Sequence, residues 1–198
     1  MANITAAQVS ELRARTNVGM MDCKKALVAC DGDMDKACDY LREKGLAKAA
    51  KKAERTAAQG RMFSYIHSTG KLGVLLELDC ETDFVARTDE FQKLGHESEM
   101  HIAAANHNYI KPEEVPAEVL EHEKEVIMAQ AREEGKPEKM LEKIAEGRIN
   151  KFYEENCLLE QKYVRNPDVK IKDLIVENIA KIGENIIPRR FARFIIEG

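Results

Sequence analysis

The sequence lacks an apolar run of the roughly 18 residues that a membrane-spanning helix needs. Its first residues, Met1–Thr5, do not form a basic segment followed by an apolar one, so they predict no secretory signal peptide. A net charge of −4, from 31 basic and 35 acidic side chains, argues against a general nucleic-acid binder. We therefore expect a cytoplasmic protein that directly contacts neither a membrane nor nucleic acid.

Motifs for catalysis, nucleotide binding and metal binding are also missing. No GxSxG, P-loop or GxGxxG segment occurs, and no HExxH or three-ligand spacing is found. The five histidines are therefore interpreted as hydrogen-bonded or solvent-facing residues: His67, His96, His101, His107 and His122. We expect no enzymatic activity, no metal site and no cofactor.

The cysteines show no pairing pattern. They are odd in number and contain no CxxC, which fits reduced thiols better than a disulfide framework. The five are Cys23, Cys30, Cys38, Cys80 and Cys157. The first three fall at helical core spacing, so we expect them to be small buried apolar residues rather than metal ligands.

The first 45 residues predict a module of three short helices. Thr5 and Gln8 form a capping-box pattern at the start of the first helix. Small apolar residues repeat at i, i+3, i+4 and i+7 along the second: Cys23, Ala26, Leu27 and Cys30. Asp33 can cap the third helix, and Gly45 followed by Leu46 predicts its end. Residues 46–59 then predict a basic linker helix.

Residues 60–198 predict a small α+β core, which a chain of 198 residues can hold beside the first module. Alternating residues from Gly60 onward indicate a β-hairpin, and 186–196 indicates a third strand with Pro188 at an edge or bulge. Antiparallel pairing is expected. Helices should cover this three-stranded sheet, and two of them should form a helical hairpin joined at 134–137.

Two basic groups each allow two interpretations. Lys48, Lys51, Lys52 and Arg55 lie on the linker helix. They form either a docking surface or a solvated connecting helix, and no aromatics interleave with them. Arg189, Arg190 and Arg193 lie on the last strand. They either meet a phosphate or an acidic partner, or protect an exposed strand edge.

The return strand of the hairpin leads into an acidic segment with an aromatic residue, Glu81–Val85. A Phe in a core normally lies inside the periodic run of a strand or helix. Phe84 instead follows the run, so we expect it to project from the hairpin apex as a wedge against another macromolecule. Glycosidase-type chemistry by Glu77, Asp79, Glu81 and Asp83 is the weaker alternative, because alternation spreads them along one strand.

Two motifs together are highly specific. The first is Leu12–Arg13 with Gly19–Leu27, and the second is Thr82–Ala86. Three shorter segments add weaker matches: Gly135–Pro137, Glu146–Arg148 and Gly183–Asn185. On these residues the chain resembles, essentially from end to end, the bacterial translation elongation factor Ts family.

The resemblance implies a guanine-nucleotide exchange factor for elongation factor Tu, with an N-terminal module similar to ubiquitin-associated (UBA-like) domains. It implies that Thr82, Asp83, Phe84 and Val85 insert beside the magnesium site of the partner's GTPase domain. Phe84 would enter an apolar slot, and Asp83 would help to displace the metal environment. Arg13, Met20 and Met21 match positions expected where the N-terminal module docks, although burial of either methionine between the small helices is an open alternative.

The chain departs from the family pattern in two ways. Asn17 stands where Gly is usual, and Asn tolerates the same left-handed conformation. The length accommodates one core subdomain where longer members have two, so we hypothesise that two chains pair as a homodimer. The alternative function is a UBA-like adaptor that binds a helix or peptide and leaves nucleotide affinity unchanged.

Overall fold

The computed structural model describes residues 4–16 and 18–196, so Asn17 lies outside the described residues. The chain has the predicted α+β fold, with three N-terminal helices and an antiparallel three-stranded sheet covered by helices. The first elements are α1 (Ala6–Thr16), α2 (Met20–Ala29), α3 (Met34–Ala50), β1 (Gln59–Ile66), β2 (Leu72–Cys80), α4 (Asp83–Ala86) and α5 (Asp89–Ala104). The later ones are α6 (Ala117–Glu133), α7 (Leu141–Asn156), β3 (Lys162–Tyr163), β4 (Asn166–Lys170), α8 (Ile171–Ile182) and β5 (Ile186–Ile195).

Helices α1 to α3 begin where the sequence predicts. Gln8 donates its backbone N–H to Thr5 Oγ1 at 3.2 Å, and Thr5 N–H donates to Gln8 Oε1 at 2.9 Å, which is the predicted capping box. Asp33 accepts from Lys36 N–H at 3.0 Å and caps α3. The three helices share a core of Val9, Leu12, Cys23, Ala26, Leu27, Ala37 and Leu41.

The predicted end of the third helix at Gly45 is wrong. Helix α3 runs through this residue to Ala50, and Gly45 is not among the glycines with positive φ. A C-terminal cap needs the left-handed conformation, whereas the residues after Gly45 are strong helix formers. Their propensity outweighs the cost of about 1 kcal/mol for one glycine in a helix.

The sheet has the order β1-β2-β5, so the last strand pairs with the second strand of the hairpin. Its inner face is the predicted one, with Val74, Leu76, Leu78 and Cys80 all buried. The expected position of the tip is wrong, because the hairpin turn lies between β1 and β2 at 67–71. The segment with Phe84 instead follows the far end of β2 and forms the helical turn α4.

The chain divides into two compact units that alternate along the sequence. The first comprises residues up to 61, 79–94 and 175–187, and the second comprises 62–78, 95–174 and 188 onward. The first therefore contains α1 to α4. The second contains the predicted helical hairpin α6–α7, where Arg132 pairs with Glu138 and Arg148 pairs with Glu134, both at 2.8 Å. A transmembrane helix is absent from residues 4–16 and 18–196.

Candidate functional site

Phe84 is the most exposed large apolar side chain in the described part of the chain, with 76% of its surface accessible. Its two successors on α4 point inward, since Val85 is 7% and Ala86 5% exposed. Exposing one aromatic while burying the two residues after it fits the wedge predicted from the sequence. Of the four residues predicted for the tip (residues 82–85), Val85 is therefore an anchor within the chain rather than an exposed contact.

The turn is held by hydrogen bonds at both ends. Thr82 is the N-cap, and its Oγ1 accepts a hydrogen bond from Val85 N–H at 3.3 Å. Thr88 Oγ1 donates to the carbonyl of Val85 at 2.8 Å. Asp83 accepts from Arg87 Nη2 at 2.6 Å, but both side chains are largely exposed. Such a surface pair contributes at most about 1 kcal/mol, so Asp83 is available to a partner.

Sequence reasoning missed the residue that contacts the start of the tip most directly. The carboxylate of Glu184 accepts three hydrogen bonds there. Its Oε2 accepts from the backbone N–H of Glu81 at 3.1 Å and of Thr82 at 3.0 Å, and its Oε1 accepts from Thr82 Oγ1 at 2.7 Å. The segment Gly183–Asn185 was noticed only as a weak family match, and no local pattern signals this contact.

Cys80 is the last residue of β2, and Glu81 and the tip follow it directly. It is fully buried, and its Sγ donates a hydrogen bond to the carbonyl of Thr82 at 3.1 Å. Burial, and then the negative charge of Glu184, raises the pKa of the Cys80 thiol to about 11. The thiol is therefore protonated at neutral pH and is not a nucleophile. Within residues 4–16 and 18–196, no group of three or more His, Cys, Asp or Glu side chains is arranged to hold a metal ion.

The residues predicted for N-terminal docking are exposed rather than buried between the helices. Met20 is 42% and Met21 66% accessible. Arg13 and Met20 lie together, because they line one open depression of about 340 Å³ with Ser10 and Ala14, whereas Met21 does not line it. The module and the tip belong to the same compact unit. Methionine suits a contact surface because its flexible side chain adapts to irregular shapes.

Two of the three arginines on the last strand make contacts within the chain. Arg190 forms an ion pair with Glu77, and Arg193 donates to the carbonyl of Ala103 at 3.4 Å. Three of the five histidines are exposed, as expected: His67, His96 and His122. The other two are buried and stacked, with His101 and His107 ring centroids 6.1 Å apart.

Comparisons with known proteins agree on one family. Residues 26–178, which include the tip, match the family model described as "Elongation factor TS". The protein named elongation factor Ts from Thermoanaerobacter sp. (strain X514) is 61% identical over 191 residues, covering 96% of this chain and 94% of the relative. That of Geobacter sulfurreducens is 58% identical over 194 residues, with 98% and 90% coverage. That of Desulfosudis oleivorans is 55% identical over 196 residues, with 99% of both chains covered.

Proposed function

The chain belongs to the elongation factor Ts family, and we propose that it is a non-enzymatic guanine-nucleotide exchange factor that binds elongation factor Tu–GDP and promotes GDP release during translation elongation. The observation that supports this most directly is the exposed Phe84 on a turn whose next two residues are buried. Because elongation takes place in the cytoplasm, we expect the protein to act there.

The proposed mechanism needs no bond to form or break in the nucleotide. In a GTPase, GDP is bound jointly by Mg²⁺ and by the backbone amides around the phosphates. Disturbing one of these two contacts therefore weakens the other contact as well. Phe84 enters an apolar slot of the partner's GTPase domain beside that site. Asp83, available because its pair with Arg87 is exposed, disturbs the environment of the metal. Thr82 and Val85 hold the turn that presents both side chains.

The energetics require a second contact. To weaken the binding of GDP ten-thousandfold, the binding of this protein and the binding of GDP must be coupled by a free energy of about 5.5 kcal/mol. Burying one Phe side chain supplies only about 1.5–3 kcal/mol. We therefore propose that Arg13, Met20 and Met21 dock the N-terminal module on the same partner. By linkage, GDP weakens the binding of this protein by the same factor, so the exchange is reversible and its net direction depends on nucleotide supply.

We also propose a homodimer. Several exposed apolar side chains lie on the face of the sheet opposite to the buried one, here called the outer sheet face. Leu75 lies between buried Val74 and Leu76 in β2, so its side chain is on the outer face. Phe194 lies four residues after Arg190 in β5, and this even spacing places both on the same face. Arg190 pairs with Glu77, which lies on the outer face of β2. The exposed large apolar residues of this face are Met62, Ile66, Leu75, Phe194 and Ile196. An exposed patch of this kind marks an interaction surface, and a second copy of the chain would cover it.

The dimer is tested by light scattering on the wild type and on Phe194→Glu. We expect a dimer for the wild type and a monomer for the variant, because a buried unpaired charge opposes association. Met140→Glu, which charges an exposed apolar residue in the short 3-10 helix Glu138–Met140 before α7, is the matched control and should leave the dimer intact. Monomers only, alone and in a functional complex with elongation factor Tu, would reject the homodimer.

The function itself is tested by release of fluorescent GDP from elongation factor Tu in the presence of excess unlabelled nucleotide. We expect the wild-type protein to accelerate release in a concentration-dependent manner. Unchanged release at saturating protein would reject exchange activity. Binding without acceleration would instead favour the alternative of a UBA-like adaptor, for which the depression beside Arg13 and Met20 is the supporting observation.

A further inference from the structure

We infer that Glu184 is a positioning residue for exchange, which acts by fixing the direction in which Phe84 projects. This inference deepens the proposed function and rests on it, because it concerns the same tip. It is carried by the three hydrogen bonds from the start of the tip to one carboxylate.

The turn that presents Phe84 is too short to be stable without contacts from the rest of the chain. Helix α4 has four residues, and a first helical turn fixes many backbone dihedrals for few hydrogen bonds. The ring of Phe84 is largely exposed, so packing within the chain does little to orient it. Burial of Val85 and Ala86 secures one side of the turn. The direction of the ring therefore depends on how the chain enters the turn at Thr82.

Glu184 controls that entry through the hydroxyl of Thr82. A hydroxyl has one proton to donate and two lone pairs that accept. Because Thr82 Oγ1 donates its proton to Glu184 at 2.7 Å, its lone pairs are left to accept the N–H of Val85 at 3.3 Å. The same carboxylate holds the N–H groups of Glu81 and Thr82. A relay of hydrogen bonds thus leads from Glu184 through Thr82 to the residue that follows Phe84.

Glu184 is itself held on its N-terminal side. Gly183 ends α8 with a φ of 95°, a left-handed conformation that glycine adopts without strain. The carbonyl of Gly183 accepts a hydrogen bond from Lys52 Nζ. These two features fix the backbone directly before Glu184, where the chain leaves the end of α8.

The C-terminal side of Glu184 is held by Asn185, which is 2% exposed. Its Nδ2 donates to the carbonyls of Ala53 at 3.3 Å and Arg55 at 2.9 Å. Its backbone N–H donates to Glu81 Oε1 at 2.7 Å, so the contact between the two segments is reciprocal. All of these residues lie in the first compact unit. A carboxylate fixed on both sides is suited to orient the turn that presents Phe84.

The test is GDP release from elongation factor Tu by full-length Glu184→Ala and Glu184→Gln, measured over a range of factor concentrations. We expect Glu184→Ala to lower the maximal rate about tenfold, which corresponds to about 1.4 kcal/mol. The half-saturating concentration should change less than about threefold, because docking through Arg13 and Met20 is untouched. Glu184→Gln should stay within about threefold of wild type, since its carbonyl accepts both N–H groups and its amide donates to Thr82 Oγ1.

A double-mutant cycle separates orientation of the tip from general stabilisation. If Glu184 acts through Phe84, then Glu184→Ala in a Phe84→Ala background causes no further loss of rate. A further tenfold loss would overturn the inference, as would a wild-type rate for Glu184→Ala while Phe84→Ala is impaired. A wild-type rate of GDP release by the single variant Phe84→Ala would instead reject the proposed role of Phe84 as a wedge.

Two further variants protect the test against misfolding. Thr82→Val breaks the relay from its exposed end and keeps the shape of the side chain, so we expect a loss similar to that of Glu184→Ala. A wild-type rate for Thr82→Val would also overturn the inference. Glu160→Ala removes a comparable carboxylate, which accepts from Lys170 and Lys172 in the second unit, and should leave exchange unchanged. Loss of exchange with Glu160→Ala would mean that the assay reports only stability.

Discussion

Replacing Phe84 by Ala removes the aromatic ring and leaves the helical turn in place. The side chain is 76% exposed in the free protein, so little of its apolar surface is buried before the partner is met. A surface substitution of this kind changes the free energy of unfolding by about 0.5 kcal/mol or less. The variant should therefore unfold at nearly the same denaturant concentration as the wild type.

The effect on exchange follows from the surface that remains to be buried. Full burial of a Phe side chain yields about 1.5–3 kcal/mol, and about three quarters of that is still available at Phe84, roughly 1.1–2.3 kcal/mol. If the ring is bound more tightly in the transition state for GDP release than in the encounter complex, the loss appears in the maximal rate. The expected decrease is then about 6- to 50-fold.

The assay is stopped-flow release of fluorescent GDP from elongation factor Tu at increasing factor concentration. A lower maximal rate with a similar half-saturating concentration is expected for Phe84→Ala. Met140→Ala, which truncates another exposed apolar side chain in the second unit, is the matched control and should behave as wild type. Equal release by the wild type and Phe84→Ala would refute the role assigned to the ring.

Two further predictions concern the second unit. Gly95→Ala should lower the free energy of unfolding by about 1–3 kcal/mol in urea titrations, because its Cβ would lie 2.2–2.4 Å from the ring of Phe63. Gly147→Ala, where a Cβ meets nothing within 4 Å, should instead raise it by about 0.5–1 kcal/mol. Burial, reinforced by the nearby His101, lowers the pKa of His107 to about 4, so its protonation favours the unfolded chain. Stability should therefore fall as the pH drops from about 6.5 to about 4, by up to about 3 kcal/mol.

Each of these two predictions has its own control. Equal unfolding free energies for Gly95→Ala and Gly147→Ala would contradict the packing argument. For the pH effect, His107→Gln should flatten the slope of stability against pH between pH 4 and pH 6.5. The same slope in the wild type and His107→Gln would assign the acid sensitivity to other groups.

The sequence predicts the first module well because its signals are local. The capping box at Thr5 and the cap at Asp33 each involve residues three positions apart, and the structure contains both. The prediction at Gly45 is wrong for a related reason. A glycine signals a helix end only if the following residues leave the helix, and here they are good helix formers.

The exposure of Phe84 was predicted, but the conformation of the segment that carries it was not. Exposure of Phe84 follows from its place outside any periodic apolar run, and the structure confirms the exposure. Its location at the hairpin apex was wrong, because the chain forms a helical turn after the far end of β2. Thr82 before Asp83 is a recognisable N-cap pattern, and it is the signal in the sequence from which that turn could have been predicted.

Glu184 could not be found from local pattern. It contacts Thr82 across 102 positions of sequence, and the segment Gly183–Asn185 that contains it was noticed only as a weak family match. Hydrogen bonds between segments this far apart depend on the complete tertiary fold. The same holds for the buried pair His101 and His107, which the sequence shows only as scattered histidines.

The separation between Thr82 and Glu184 also bears on how the protein is made. During synthesis at about 5–20 residues per second, the tip emerges from the ribosome several seconds before the carboxylate that orients it. The hydrogen bonds between Thr82 and Glu184 can therefore form only after residue 184, which follows the last helix, has been synthesised.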